Sequence, residues 1–255
     1  MPAIAVPQGR IKSGVVGGSS ATTSLAGLLD KYFYFSMSLL IAVTVAYGFS
    51  RTVDKNLIHP AVPRPFLLYI HAAVFCGWVV FYILQSALVR TRNVGVHRRI
   101  GWFGAALGVV IPVLGISTAI TMARFNTVQL HQPGAAGFLM VPLFDICAFS
   151  VPFALGIYWR KKPEMHRRLL LVASCALTAA AFGRFPPNIL PAVVFYAGVD
   201  SLIVLGLLRD LIVNRRIHQV YRYALPAFIV GQTVVMYTVV HNSPYWLKIA
   251  NVLLR

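Results

Sequence analysis

Acidic side chains are scarce in this chain: six Asp and Glu stand against 23 Lys and Arg among 255 residues, a formal net charge of +17. Charged residues amount to only 11% and hydrophobic ones to 58%, too little charge to cover the surface of a soluble domain. Bilayer is therefore the expected solvent. The three cysteines, Cys76, Cys147 and Cys175, lie in apolar stretches without CxxC or CxxxC spacing. They specify neither a disulfide framework nor a metal knuckle, and buried free thiols are expected. Also missing are HxxxH, HxxHH, HExxH, GxSxG and the Walker loop, which withdraws support from di-iron, metalloprotease, hydrolase and ATP-driven chemistry. A basic excess can mark nucleic-acid binding, but here it falls in short runs between apolar segments, so no nucleic-acid partner is expected.

What the chain does have is apolar length. Windows near 32–50, 66–90, 101–123, 137–159, 167–184, 189–208 and 223–241 each approach the roughly 20 residues that a membrane-spanning helix needs. The expected fold is all-α, an integral membrane bundle of seven transmembrane helices over residues 30–255. It follows a flexible cytoplasmic tail, residues 1–29, rich in Gly, Ser, Ala and Thr and without an unbroken apolar core. Basic residues concentrate in alternate connections: Arg90 to Arg99, Arg160 to Arg168, and Arg209 to Arg222. With Arg10, Lys12 and Lys31 these make 16 of the 23. The positive-inside rule then sets the amino terminus inside and the carboxyl terminus outside, in a bacterial cytoplasmic (inner) membrane. Partners implied by that placement are the bilayer and, at the cytoplasmic face, anionic lipid headgroups beside His97, His166 and His218. Protein partners are not specified.

The window at 66–90 is the most informative. At 100° per residue, His71, Phe75, Trp78, Tyr82 and Gln85 fall within about 40° of one line, a polar and aromatic stripe. On the other side Ala73 and Gly77 form a small-xxx-small pair that predicts close approach of a neighbour. The third window carries Gly101, Gly104, Gly108 and Gly115 along one line and predicts tight packing. HRRIGW from His97, HRRLLL from His166 and HQVYRY from His218 each follow an apolar helix and a short basic loop. Three hairpins descended from one unit are a reading of that repeat.

The stretches IHAAVFCGW, VHRRIGW, VPLFD and MHRRLLL, in this order from about Pro65 onward, resemble a family of uncharacterised multi-pass bacterial membrane proteins. Its pattern is His-Ala, then HRRxG, an aspartate, and a second His-(Arg/Lys)-Arg. The resemblance implies an integral membrane fold and no particular reaction. A looser similarity to cytochrome b561-like and ferric-reductase-like haem proteins implies haem b or a metal ion as cofactor.

Ionisable groups inside apolar helices usually face protein or water, because a charge at the helix centre costs about 2.5–3.5 kcal/mol on translocon scales. Counted at 1.5 Å per residue from the outer helix ends, His71 and Asp145 lie about 8 and 10 Å deep, and Asp200 lies nearer the middle. Arg184 and His241 end helices on the same side, and His131 lies in a loop there. The expected cofactor-binding set is His71, Phe75, Trp78, Tyr82, Asp145, Arg184 and His241. In it His71 is a ligand or proton carrier, Asp145 its carboxylate partner, and Arg184 an anion clamp. Asp200 is expected to pair with Tyr196 or a helix-borne serine. A redox or cofactor-binding protein is the first functional reading, a small-molecule or ion transporter the second, and a non-catalytic assembly or scaffold protein the third.

Overall fold

The computed structural model describes residues 25–255, and among them every regular element is helical. Residues 1–24, the greater part of the expected tail, lie outside the described residues. Helix α1 runs Leu25–Ser50, α2 Phe66–Arg90 and α3 Val94–Val128. A short α4, Ala135–Phe138, leads into α5, Met140–Tyr158. Then come α6 Pro163–Ala176, a short α7 Ala179–Phe182, α8 Tyr196–Asn214, α9 Gln219–Val240 and α10 Pro244–Leu253. Six stretches are long and apolar enough to cross a membrane: α1, α2, α3, Ala135–Tyr158, Pro163–Phe182 and α9. The window at 189–208 becomes α8, displaced toward the carboxyl end and outside that set of six. Prolines 186, 187 and 191 delay its start, and it carries three charges, Asp200, Arg209 and Asp210, over 19 residues.

The bundle is organised around α6. Eight consecutive or near-consecutive residues of it are buried, Arg168, Leu169 and Leu171 to Ala176, and it packs against α1, α5, α8 and α9. Its second half is small (Ala173, Ser174, Cys175, Ala176), which lets neighbours approach from all sides. By contrast α2 buries only Trp78 and Tyr82. Ala73 and Gly77 face outward, and a Cβ on Gly77 would meet nothing within 4 Å, so the small pair on α2 receives no neighbour. The glycine line of α3 does: Gly104, Gly108 and Gly115 take in Phe81, Phe153 and Ile146, whose atoms occupy the space a Cβ would need, while Gly101 meets nothing. Cys175 is buried as expected, but Cys76 and Cys147 lie on the outside of the bundle.

The largest departure from the sequence reading is at the arginine-rich end. Arg168 and Arg209 belong to runs expected at the headgroup level, yet they are 0% and 1% exposed, beside Asp210 at 0%. Arg168 grips Asp210 with two bonds, Nε to Oδ2 and Nη2 to Oδ1, both 2.7 Å. Asp210 also accepts from Arg209 Nη1 at 3.0 Å and from Asn214 Nδ2 at 3.0 Å. Arg209 reaches on to Asp30 of α1, and Arg168 Nη1 to Glu164 at 2.5 Å. Half of the chain's acidic residues are spent here, tying α1, α6 and α8 together.

Just below this network His218 precedes α9 and its Nδ1 accepts from the Val220 N–H at 3.2 Å, capping the helix. Burial, and then the Arg168 charge, hold the His218 imidazole below its ordinary range. Folding therefore favours the neutral ring: its contribution is present above the unfolded pKa of about 6.5 and is lost as pH falls through the lower folded value. Protonation at Nδ1 also removes the lone pair that makes the cap. Protection factors of the first-turn amides of α9, with the base-catalysed intrinsic rate divided out, should be lower at pH 5 than at pH 7.5, and His218→Asn, which keeps an acceptor there, should flatten that dependence in hydrogen-exchange measurements.

Removing one partner of a buried pair costs up to about 3–5 kcal/mol, tempered here because Asp210 keeps Arg209 and Asn214 and Arg168 keeps Glu164. Asp210→Ala and Arg168→Ala should each lower the thermal unfolding temperature in mild detergent sharply. The Arg168→Met/Asp210→Met double variant should recover much of the loss; a double variant as unstable as the sum of the two would show that the pair is not coupled.

Candidate functional site

The other end of the bundle holds Asp145 and Asp200, each with a neutral partner. Asp145, on the second turn of α5, accepts from the Tyr196 hydroxyl at 2.8 Å. Tyr196 is the first residue of α8, fixed there by the turn Ala192–Val194 after Pro191 and by Phe195, whose ring centroid lies 4.2 Å away. Asp200, one turn further along α8, accepts from Gln232 Nε2 of α9 at 3.0 Å. Between α8 and α9 a groove of about 430 Å³ opens, walled by Tyr196, Asp200, Gln232, Thr233 and Tyr237 with His241 at its end, and by apolar Val193, Ile229, Met236 and Val240. Two bonds hold the wall residues at its mouth: His241 Nδ1 on the Tyr237 carbonyl at 2.9 Å, and Thr233 Oγ1 on the Ile229 carbonyl at 2.7 Å. Helix α10 closes this end, Trp246 Nε1 donating to the Gly137 carbonyl at 2.8 Å and the Leu254 carbonyl accepting from Arg124 Nε at 2.9 Å.

The residues expected to form one site are divided. His71 stacks on Phe75, ring centroids 4.0 Å apart, and its Nδ1 is buried with no hydrogen-bond partner among the described residues. The expected His71–Asp145 partnership does not appear: the hydrogen bond that Asp145 receives comes from Tyr196. Trp78 and Tyr82 point into the core, 3% and 8% exposed. Trp78 donates to Ser174 Oγ at 3.3 Å and carries Phe149 and Phe153 edge-on at 5.2 and 5.7 Å. A flat ring between Phe75, Trp78 and Tyr82 would have to displace those phenylalanines. Arg184 folds back on the Ala180 carbonyl and lies over the Phe49 ring at 4.4 Å, so its guanidinium braces α7 against α1. His131 is exposed in its loop with φ of 48°. Of the expected set, His241 alone lines the groove itself, and Asp145 stands one hydrogen bond behind it.

The sequence pointed to Asp200 with Tyr196 or a helix-borne serine as partner; the structure gives Tyr196 to Asp145 and Gln232 to Asp200. The signal for Gln232 was a lone amide inside an otherwise apolar helix, which needs a partner wherever it is buried. Among the described residues no group of three His, Cys, Asp or Glu side chains converges in a way that would hold a metal ion. The arrangement can do something else: it presents a carboxylate, a second one relayed through a phenol, and aromatic and aliphatic walls. Comparison with protein-family models, with curated proteins and with solved structures returned no match.

Coupling follows the bonds. Tyr196→Phe leaves Asp145 without its donor and should cost about 1–3 kcal/mol of stability; in a double-mutant cycle with Asp145→Asn the two should be strongly non-additive. The cycle of His71→Ala with Asp145→Asn should be additive, and a large interaction term there would restore the partnership expected from sequence.

Proposed function

We propose that this chain is a multi-pass protein of a bacterial cytoplasmic membrane that binds a small organic cation in the groove between α8 and α9, as a step in its passage or sensing. One observation carries the reading. Asp200 is the single carboxylate among the groove's described lining residues, which include no Lys or Arg. Its volume, about 430 Å³, is that of a small-ligand site. Tyr196 and Tyr237 add ring faces that attract a desolvated cation. Binding in place of water at Asp200 repays the cost of keeping a carboxylate among apolar walls. Seven spans, with α8 as the sixth, set the amino terminus inside and this groove outside. The family resemblance carried by HAAVF, HRRIG, VPLFD and HRRLL agrees with an integral membrane protein and adds no reaction to it.

A redox reading stands second, on His71 with its unpartnered nitrogen and stacked Phe75. The visible spectrum of protein purified in mild detergent separates the two. A Soret band that His71→Ala abolishes supports the cofactor; a colourless, metal-free preparation excludes it.

The groove is tested by calorimetric titration with tetraethylammonium. Saturable binding should weaken at least about tenfold in Asp200→Asn, the loss of the ion pair between carboxylate and quaternary ammonium, and absence of saturable binding to the wild-type protein would overturn the reading. Orientation is tested separately, in a background without native cysteine. Cysteines replacing Gly95, Pro163 and Ile217 should resist a membrane-impermeant thiol reagent applied to intact cells, and one replacing Pro133 should react.

A further inference from the structure

The arginine-rich end holds a second polar cluster, apart from the groove. His97 in the first turn of α3 and His166 in the first turn of α6 face each other with ring centroids 6.3 Å apart and planes at 74°, so the two HRR motifs meet in space. His166 Nδ1 sits 2.9 Å from the Gly156 carbonyl. A carbonyl only accepts, so this nitrogen carries the proton and Nε2 is left to face a ligand. His97 Nδ1 is enclosed with no partner, and beside it the Gln85 backbone carbonyl comes within hydrogen-bonding range of the ring. The Gln85 amide is enclosed as well, both Nε2 and Oε1 unmet.

Most unmet buried polar atoms among the described residues lie at this end: Tyr34 Oη, both Gln85 amide atoms, His97 Nδ1, Tyr221 Oη, and the Nε of Arg90, Arg167 and Arg209. Native interiors rarely leave such atoms unpaired, so a cluster of them calls for water or a ligand. Donor and acceptor chemistry selects which ligand. Three guanidinium N–H groups and an amide NH₂ can only donate, and Gln85 Oε1 alone among the eight can only accept. The acids that could have answered them are already taken: Glu164 by Arg167 and Arg168, Asp210 by Arg168 and Arg209, and Asp30 by Arg209. A metal cation would leave the donors unmet and add charge to a cationic end. A tetrahedral oxyanion supplies several acceptor oxygens and negative charge together.

We propose that Gln85, His97 and His166 form a binding site for a phosphate group at the arginine-rich end of the bundle. One phosphate oxygen bridges the two imidazoles, His166 donating through Nε2 as an imidazolium, while the Gln85 amide takes a neighbouring oxygen. Arg98 and Arg99, on the same turn as His97, extend the cationic rim. The phosphate comes from the headgroup of an anionic lipid or from free phosphate, and both present the same oxyanion. The site does not depend on the groove between α8 and α9.

The full chain, purified without a histidine tag in phosphate-free buffer, is titrated with short-chain phosphatidylglycerol, phosphatidylcholine or inorganic phosphate and read by native mass spectrometry and thermal shift. One phosphatidylglycerol per chain should be retained and should stabilise the fold. His97→Ala should weaken it about tenfold or more, as expected for loss of a charge-assisted bond, and Arg222→Ala, an exposed basic residue at the same end, should leave it unchanged. His97→Ala takes no partner from His97 Nδ1, which has none, and from the ring only its approach to the Gln85 carbonyl. It gives a reading even where His166→Ala fails to fold through loss of the Gly156 bond. Competition by millimolar inorganic phosphate assigns the site to free phosphate; phosphatidylglycerol binding without such competition assigns it to lipid. No stoichiometric binding of either, equal binding of phosphatidylcholine and phosphatidylglycerol, or wild-type affinity in His97→Ala overturns the proposal.

Discussion

Arg168 and Asp210 are the constraint around which this bundle is arranged. Neither can sit alone in an apolar interior, and the fork of the guanidinium matches the carboxylate with two 2.7 Å bonds. Because Arg168 is on α6 and Asp210 on α8, the pair sets how far α6 can slide along α8. Arg209 extends the same clamp to Asp30 on α1. With its basic first turns held in place, α6 must run its small, apolar second half through the middle of the molecule, where Leu171, Val172, Ala173 and Cys175 lose all exposure. The spanning segment of lowest mean hydropathy is thereby the most enclosed.

The two ends of the bundle handle their carboxylates by different means. At the arginine-rich end the acids are bound by guanidinium groups and their charge is cancelled in place. At the opposite end Asp145 and Asp200 meet a phenol and an amide, partners that satisfy oxygen lone pairs without cancelling charge. Between the ends lies a dry layer of Trp78, Ile111, Phe149, Phe153 and Leu171, all buried. A bundle so divided keeps polar chemistry at each surface and blocks free passage through its centre.

His71 shows why depth along a helix is a poor guide to partnership. Helix counting puts His71 and Asp145 at similar depths, but depth says nothing of azimuth. The side chain facing Asp145 is Tyr196, delivered by a proline-bounded turn 51 residues later in the chain. Likewise the aromatic stripe of α2 is real as periodicity, yet Trp78 and Tyr82 both turn into the core, Trp78 onto Ser174 and Phe149.

Apolar run length alone determined where most helices lie, because a chain in lipid must satisfy its backbone locally, and a helix does so with residues three to four apart. The window at 66–90 matches α2 residue for residue, and the glycine line of α3 correctly announced close packing. Tertiary structure decided which charges are buried. Arg168 and Arg209 read as loop cations because sequence shows a charge's neighbours along the chain, while the cost of burying it depends on a partner brought from another helix. The same physics lets α8 run six residues past the end of its apolar window, to Asn214: a segment holding Arg209 and Asp210 can stay helical and enclosed because Arg168 and Asp30 meet them in space.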